Sequence, residues 1–494
     1  MRPSDVSRRQ ALLSFAAASP LTAAPAGDLC FLSAIEMAEL IRKKKLSARE
    51  LLAAHLKQIE RVNPKLNAIV TLVADRAAKS AQQADELQAR KGTLGPLHGL
   101  PIAHKDLVNT QGIRTTYGSP IFKDQVPAAD DPIVERIRAA GAVLLGKTNT
   151  PEFGAGSHTF NTVFGATLNP YDTTKTCGGS SGGAAVALAS GMLPIADGSD
   201  LGGSLRNPAA FCNVVGFRPS AGRVPNPSYF ALATSGPMAR SVSDLALLLS
   251  AIAGPHAGTP LSLPEPGGTF RQPLGRSMKG VRVAWFKDLG GLPFDPRITA
   301  VINAQRKVFE SLGCIVEPAE PDFTGADFAF KTLRAWRAAA AHGGRIRTAQ
   351  RSLYKDTLLG EIEAGLKLTG ADIARAETLR YDVWRRMQIF LERYEYFILP
   401  VTQVPPFDVK LPYPKEINGK RMDNYIDWMK SCWYISLVGN PAMSVPAGFT
   451  PENLPVGLQI VGRHQQDFSV LQLGYAFEQA TRHARRHPPM VSVG

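Results

Sequence analysis

Cysteine is scarce in this chain. Its 494 residues carry five (Cys30, Cys177, Cys212, Cys314 and Cys432), with no C-x-x-C pair among them. That excludes a disulfide framework, and the odd count leaves at least one free thiol, read as a small buried side chain. Long apolar runs are missing too. None reaches the ~18–20 residues that a spanning helix needs, so no membrane span is expected. No His, Asp, Glu or Cys cluster has metal-ligand spacing, and neither a metal nor a cofactor is expected. Internal repeats and low-complexity segments are absent. Acidic residues are outnumbered, 42 against 56 Lys and Arg, for a formal net charge of +14. The basic residues are scattered, however, and the two denser runs, Arg42 to Lys45 and Arg482 to Arg486, are short. They read as a solvated basic surface, not as a nucleic-acid footprint.

What is present suffices for a large core, with 44% apolar and 20% charged residues. The N-terminus reads as an address. Ser7-Arg8-Arg9-Gln10-Ala11-Leu12-Leu13 sets twin arginines before a mild apolar stretch, and Ala24-Pro25-Ala26 offers an A-x-A cleavage site. The pattern resembles a Tat export signal over residues 1–26, with a cleaved leader and a periplasmic or secreted product as the expectation. Leu29 before Cys30 argues against lipoprotein processing.

Ser33 to Lys44 and Ser47 to Val62 show helical apolar spacing, each opened by a serine suited to N-capping. Leu66 to Val73 predicts a strand, followed by a helix to Arg90. Short apolar runs at Leu100 to Ala103, Ala142 to Leu145 and Val214 to Phe217 then alternate with Gly/Ser/Thr/Asn stretches, as buried strands feeding functional loops do. Ser241 to Ala253 predicts a helix. Val281 to Phe286, Pro296 to Leu312 and Cys314 to Glu317 predict strand, helix, strand. Ala326 to Arg393 is expected to be mostly helical, and Tyr396 to Pro400, Ala442 to Val445 and Val456 to Val461 to be strands. This interleaving indicates an α/β fold. Gly254 to Gly275 is the best candidate seam, but one continuous domain over 27–494 is expected.

Three motif matches dissolve on inspection. Gly141 to Thr148 fits the P-loop string, yet its middle residues form an apolar run better read as a strand. Gly178-Gly179-Ser180-Ser181-Gly182 fits G-x-S-x-G, but the preceding Tyr171 to Thr176 is polar and turn-like where a nucleophile elbow needs an apolar strand. Ser352 to Lys355 fits S-x-x-K in a helical stretch and reads as a solvated helix face.

The densest run of small polar residues, Thr176 to Arg206, remains. It holds Gly178-Gly179-Ser180-Ser181-Gly182-Gly183 and Asp200-Leu201-Gly202-Gly203-Ser204-Leu205-Arg206. Glycines before a serine let backbone N–H groups approach a substrate oxygen without Cβ interference. Serine chemistry also needs a base, and no histidine lies in either loop, so a lysine is the alternative. Lys105, in Leu100-Pro-Ile-Ala-His-Lys105-Asp106, stands just past an apolar run; alone, a lysine there would be read as a surface or ion-paired residue.

Together these segments resemble the amidase signature family, which pairs a lysine motif with G-G-S-S-G-G and D-x-G-G-S-x-R at the spacing of Ser180 to Ser204. Gly146-Lys147-Thr148-Asn149, Pro151-Glu152-Phe153, Gly216-Phe-Arg-Pro219, Gly439-Asn-Pro-Ala442 and Leu454 to Gly462 fit as well, so the resemblance covers about Ser33 to Ala480. It implies a large mixed, twisted β-sheet covered by helices on both faces. It further implies Lys105 as base, Ser180 as bridging serine after a cis Gly179–Ser180 bond, and Ser204 as nucleophile. The N–H groups of Leu201, Gly202, Gly203 and Ser204 would form the oxyanion hole, with Asp200, Arg206 and Ser181 supporting the loops. Two departures stand near the pocket: Cys177 where many members have proline, and His104 where an apolar residue is frequent.

The expected function is hydrolysis of a small-molecule amide through a Ser204 acyl-enzyme. The alternative is the glutaminase subunit of a tRNA-dependent amidotransferase. The leader and the lack of an evident docking tail favour the first; a homodimer is left open. Ala326 to Arg393 and the loop Pro405 to Met422 are expected to shape the acyl pocket. Burial beside Leu100 to Ala103 would lower the Lys105 pKa, and Asp106 would oppose this if it faced the amine.

Overall fold

The computed structural model describes residues 29–491; the expected export leader, residues 1–26, lies outside them. Two helices come first, α1 (Ala34–Arg42) and α2 (Ala48–Leu66), each started by its serine. Ser33 and Ser47 accept from the N–H of Glu36 and Glu50, whose carboxylates accept the serine N–H in return, so two orphan donors are satisfied at each start. α2 runs past its expected end at Val62. Pro64 in the last turn forfeits a single N–H bond, Leu66 gains a fully buried place, and Asn67 ends the helix at φ 55°.

A first unit follows: β1 (Ile69–Leu72), α3 (Ala74–Ala89), β2 (Pro101–Lys105), α4 (Pro132–Ala139) and β3 (Val143–Thr148). Its three strands lie in the order β1-β3-β2, with β3 antiparallel to β1 and parallel to β2. The P-loop look-alike is thus the buried strand β3, as its apolar run predicts.

The remaining elements are a short hairpin β4 (Phe160–Asn161) and β5 (Gly165–Ala166), then α5 (Gly182–Ala189), β6 (Ile195–Asp200), α6 (Arg206–Phe211), β7 (Val215–Arg218), β8 (Thr234–Ala239) and α7 (Val242–Ile252). After these come β9 (Arg282–Trp285), α8 (Pro296–Ala304), α9 (Arg306–Ser311), β10 (Ile315–Pro318), α10 (Ala326–His342), α11 (Asp356–Leu366) and α12 (Gly370–Arg393). The chain finishes with β11 (Tyr396–Pro400), the hairpin β12 (Glu416–Ile417) and β13 (Lys420–Arg421), α13 (Lys430–Val438), β14 (Ala442–Phe449), β15 (Pro455–Gly462) and α14 (Asp467–Thr481). The single helix predicted for Pro296 to Leu312 is two helices. At Gln305 the N–H turns to the carbonyl of Ile302, three residues back, which tightens the turn and breaks the axis.

Eight strands form one mixed sheet in the order β10-β9-β11-β15-β14-β7-β8-β6. β10, β9 and β11 run parallel, and every pair from β11 to β6 is antiparallel. Both faces carry helices, as alternation along β15 shows: a Cβ on Gly457 would meet Ala210 of α6, and one on Gly462 would meet Val470 of α14. Gly254 to Gly275 lays Phe270 and Leu274 into the same apolar cluster as its neighbours on either side.

Two of these strands carry no apolar run. β6 reads Ile-Ala-Asp-Gly-Ser-Asp and β8 Thr-Ser-Gly-Pro-Met-Ala, and they pair from Ile195↔Ala239 to Asp200↔Thr234. β6 ends the sheet, and β2 of the smaller sheet lies beside it. The two serine loops border this junction: one leads into α5, and the other joins β6 to α6.

Candidate active site

Lys105 is the last residue of β2 and is fully buried. Its Nζ donates to Ser180 Oγ at 2.7 Å, Ser181 Oγ at 2.9 Å and Ser199 Oγ at 3.1 Å. Among the described residues no carboxylate forms an ion pair with it. Burial penalises the cation and brings its pKa down from 10.5 to about 7, although the charges of Asp200 and Asp197 act the other way. Asp106 is not among the opposing groups: it turns away and accepts from Thr116 N at 3.2 Å and Thr116 Oγ1 at 2.5 Å.

The Gly179–Ser180 bond is cis. Ser180 and Ser204 both border one cavity of about 250 Å3, together with Ser199, Asp200, Leu201 and Gly202. The two loops are tied directly, since Ser181 N–H donates to the Ser204 carbonyl at 3.1 Å. Glycine is required at 203, where φ is +115° and a Cβ would fall 2.6 Å from that of Cys432.

Asp200 organises the loop that carries Ser204. Its carboxylate accepts from Gly203 N at 2.8 Å and Leu205 N at 3.1 Å, and takes the Arg206 fork at 2.9 and 3.0 Å. Arg206 also donates to the Cys432 carbonyl, Gln459 and Ser436, so its guanidinium is saturated inside the protein. Arg218 adds a second positive charge, 3.4 Å from Asp200. Burial alone would raise the Asp200 pKa; Arg206 and Arg218 outweigh it and hold the carboxyl well below the usual carboxylate range. Of the four amides expected to face a substrate oxygen, that of Gly203 is therefore taken by Asp200.

Several contributors escape a reading by motif. Asp197 accepts the Lys105 N–H at 2.8 Å and pairs with His104 Nδ1, which brings β6 and β2 together. His104 thus points away from the amine, on the opposite face of β2. Ser199 and Arg218 lie in or beside motif segments, but no local signal marks their role. Cys177 is fully buried and points to the Thr167 carbonyl at 3.4 Å; burial pushes its thiol up to about 12, so it is inert.

The cavity's outer wall is a stripe of α10: Phe330, Arg334, Arg337, Ala338, Ala341 and His342. The expected loop Pro405 to Met422 lines none of it. Phe407 is engaged by Phe211 and Trp428, and the adjoining Tyr425, Ile426 and Met429 face the cavity instead. Lys355 is also not the solvated side chain its string suggests. It precedes α11, its amine bonds the Ala155 carbonyl, and burial lowers its pKa to about 8 against the pull of Glu152. Ser352 is exposed. No helix among the described residues is long and apolar enough to cross a membrane.

Against known proteins, the Amidase family model matches residues 50–471. An acylamidase of Rhodococcus erythropolis is 35% identical over 467 residues, covering 93% of this chain and 98% of that protein. A glutamyl-tRNA(Gln) amidotransferase subunit of Moorella thermoacetica is also 35% identical, over 94% of this chain and 99% of its own. Among solved structures, a bacterial aryl acylamidase of the amidase signature family superposes with a TM-score of 0.88 at 29% identity, over 94% of this chain and 99% of that one.

Proposed function

Because the chain belongs to the amidase signature family of amide hydrolases, we propose that it cleaves carboxylic amides through an acyl-enzyme on Ser204, with Ser180 as relay and Lys105 as base. The observation that carries this reading is a fully buried lysine amine 2.7 Å from the Oγ of Ser180, which lines one cavity together with Ser204.

A serine hydroxyl is a weak nucleophile until something takes its proton. Ser204 Oγ attacks the amide carbonyl; its proton passes to Ser180 Oγ, whose own proton moves to the neutral Nζ of Lys105. The substrate oxygen, now anionic, is held by the N–H groups of Leu201, Gly202 and Ser204. Gly203 serves the loop through Asp200. Lys105 and Ser180 then return the proton to the leaving nitrogen, the C–N bond breaks, and water attacks the acyl-Ser204 ester by the same route in reverse.

A fluorophosphonate tests the nucleophile. The adduct is expected on Ser204 and is lost in Ser204→Ala. An adduct on Ser180 that survives in that variant would instead mark Gly178 to Gly182 as a nucleophile elbow. The amidotransferase relative uses the same family scaffold, so copurification of a second, different protein with tRNA-linked activity would reassign this chain to an amidotransferase.

We also propose export, with residues 1–26 removed from the mature protein; twin arginines and the Ala24-Pro25-Ala26 site support it. Mass spectrometry of protein from its native host is expected to find a start near Gly27 outside the cytosol. An intact Met1 in the cytosolic fraction refutes export.

A further inference from the structure

Resting on the acyl-enzyme reading above, we propose that the acyl half of the substrate carries a distal anionic group, a carboxylate, and that Arg337 recognises it. The juxtaposition is a stripe of one helix. At ~100° and ~1.5 Å per residue, Phe330, Arg334, Arg337 and Ala341 lie along one line of α10, while Ala338 and His342 lie to one side of it. Phe330 marks the inner end, since its ring approaches within 3.4 Å of a Cβ built on Gly202 and stacks on Trp433 with centroids 4.4 Å apart. Arg337 stands two turns further out, ~10 Å along the axis.

The two edges of this stripe differ. His342 packs on Phe153, centroids 4.4 Å apart, next to Gly154, whose built Cβ lies 3.5 Å from Ser180 Oγ. That is where the leaving nitrogen must stand to receive its proton. Arg337 lies on the other edge, over the Phe230 ring at 5.6 Å, beside Ala233 and the Asp200 end of β6. The acyl chain, held at Leu201 and Gly202, therefore runs from Phe330 towards Arg337.

Charge decides what awaits it there. Asp200 is matched by Arg206 and Arg218. Glu361, the other acid in the cavity wall, is paired with Arg334 at 3.0 Å. His342 is neutral near pH 7, burial having lowered its pKa to about 4. Among the described residues no carboxylate lies within ion-pair distance of Arg337. Its guanidinium, exposed at the outer rim of the cavity, is the charge of that wall without a carboxylate partner, five N–H donors in a fork suited to a carboxylate.

The test uses 4-nitroanilides of two acyl series of equal length, the monoanilides of glutaric, adipic and pimelic acids and the corresponding uncharged alkanoyl anilides. The expected result is a kcat/KM preference for an anionic member of about three- to fivefold, the worth of one charge pair at an exposed arginine. It resides in KM and weakens with salt. Arg337→Gln brings the ratio to about one, Arg337→Lys keeps part of it, and Arg337→Glu inverts it. Binding of the same anilides to Ser204→Ala, followed calorimetrically, reports the preference without turnover. Ser204-dependent cleavage of both series at equal efficiency, or a preference that persists in Arg337→Gln, overturns this inference and leaves the hydrolase reading standing. Binding to Ser204→Ala without any turnover by the wild type would overturn the hydrolase reading instead.

Discussion

Lys105→Ala lowers kcat/KM on an amide by about 10^3-fold, within the range that a positioned proton acceptor contributes. The sign of the pH dependence follows from which form works. Only the neutral amine can accept a proton, so activity rises as pH rises, with its inflection at about 7, where burial has placed the Lys105 pKa, and not near the ordinary 10.5. Below that inflection the rate falls about tenfold per pH unit. A pH–rate profile of wild type and Lys105→Ala on one amide, with circular dichroism to establish that both are folded, reads both effects. Near-normal activity in the variant with an unchanged inflection would remove Lys105 from the proton path. Ser180→Ala loses less, because a water can stand in for the hydroxyl between Ser204 and Lys105.

Arg206→Met destabilises the protein by about 3–5 kcal/mol, the usual consequence of removing one member of a buried ion pair. The loss is large because Asp200 then keeps the N–H groups of Gly203 and Leu205 but only one cation among the described residues, Arg218 at 3.4 Å, with no exposure to water for its carboxylate. The pH dependence runs in a definite direction. The folded-state pKa of Asp200 is depressed, so the stability its ionised form contributes is fully present above the ordinary carboxylate pKa, ~4, and drains away as pH falls below it. Wild type therefore loses stability steeply on the acid side of pH ~4, and Asp200→Asn flattens that limb. Urea denaturation across this range measures both variants. A midpoint for Arg206→Met equal to that of wild type would mean that the fork at Asp200 is not what holds the loop.

The candidate site is more legible in the sequence than the sheet that carries it. Backbone chemistry at a serine demands glycine and small polar residues in contiguous windows, and both windows, Gly178 to Gly183 and Asp200 to Arg206, stand intact in the chain. Strands with apolar runs are equally plain, as at β3, β11 and β15. β6 and β8 are not, because Asp, Ser, Thr and Gly stand in them where an apolar run would mark a buried strand. α5 hid for the opposite reason: Gly-Gly-Ala-Ala-Val-Ala-Leu-Ala is buried all round and has no polar face to give it a period. Lys355 misled because its string was local while its partners, Ala155 and Glu152, stand some 200 residues earlier. Asp197 was silent for the same reason, since its partner Lys105 is 92 residues away.

The proposed base and nucleophile are mounted on different elements, Lys105 on β2 of the smaller sheet and Ser204 on the loop leaving β6 of the larger one, and the Asp197 carboxylate spans the gap between the two strands. Asp197 grips β2 twice, at the Lys105 N–H and at the His104 ring, a second grip that an apolar side chain at 104 could not offer. Alignment of the reacting groups is thus a matter of how two slabs are registered against each other, and a slip of ~1 Å can cost ~10^2-fold in rate. Turnover becomes a finer gauge of this seam than melting temperature. Substitutions buried along β2 and β6 that unfolding would score as mild should be conspicuous in catalysis, even where they touch neither substrate nor serine.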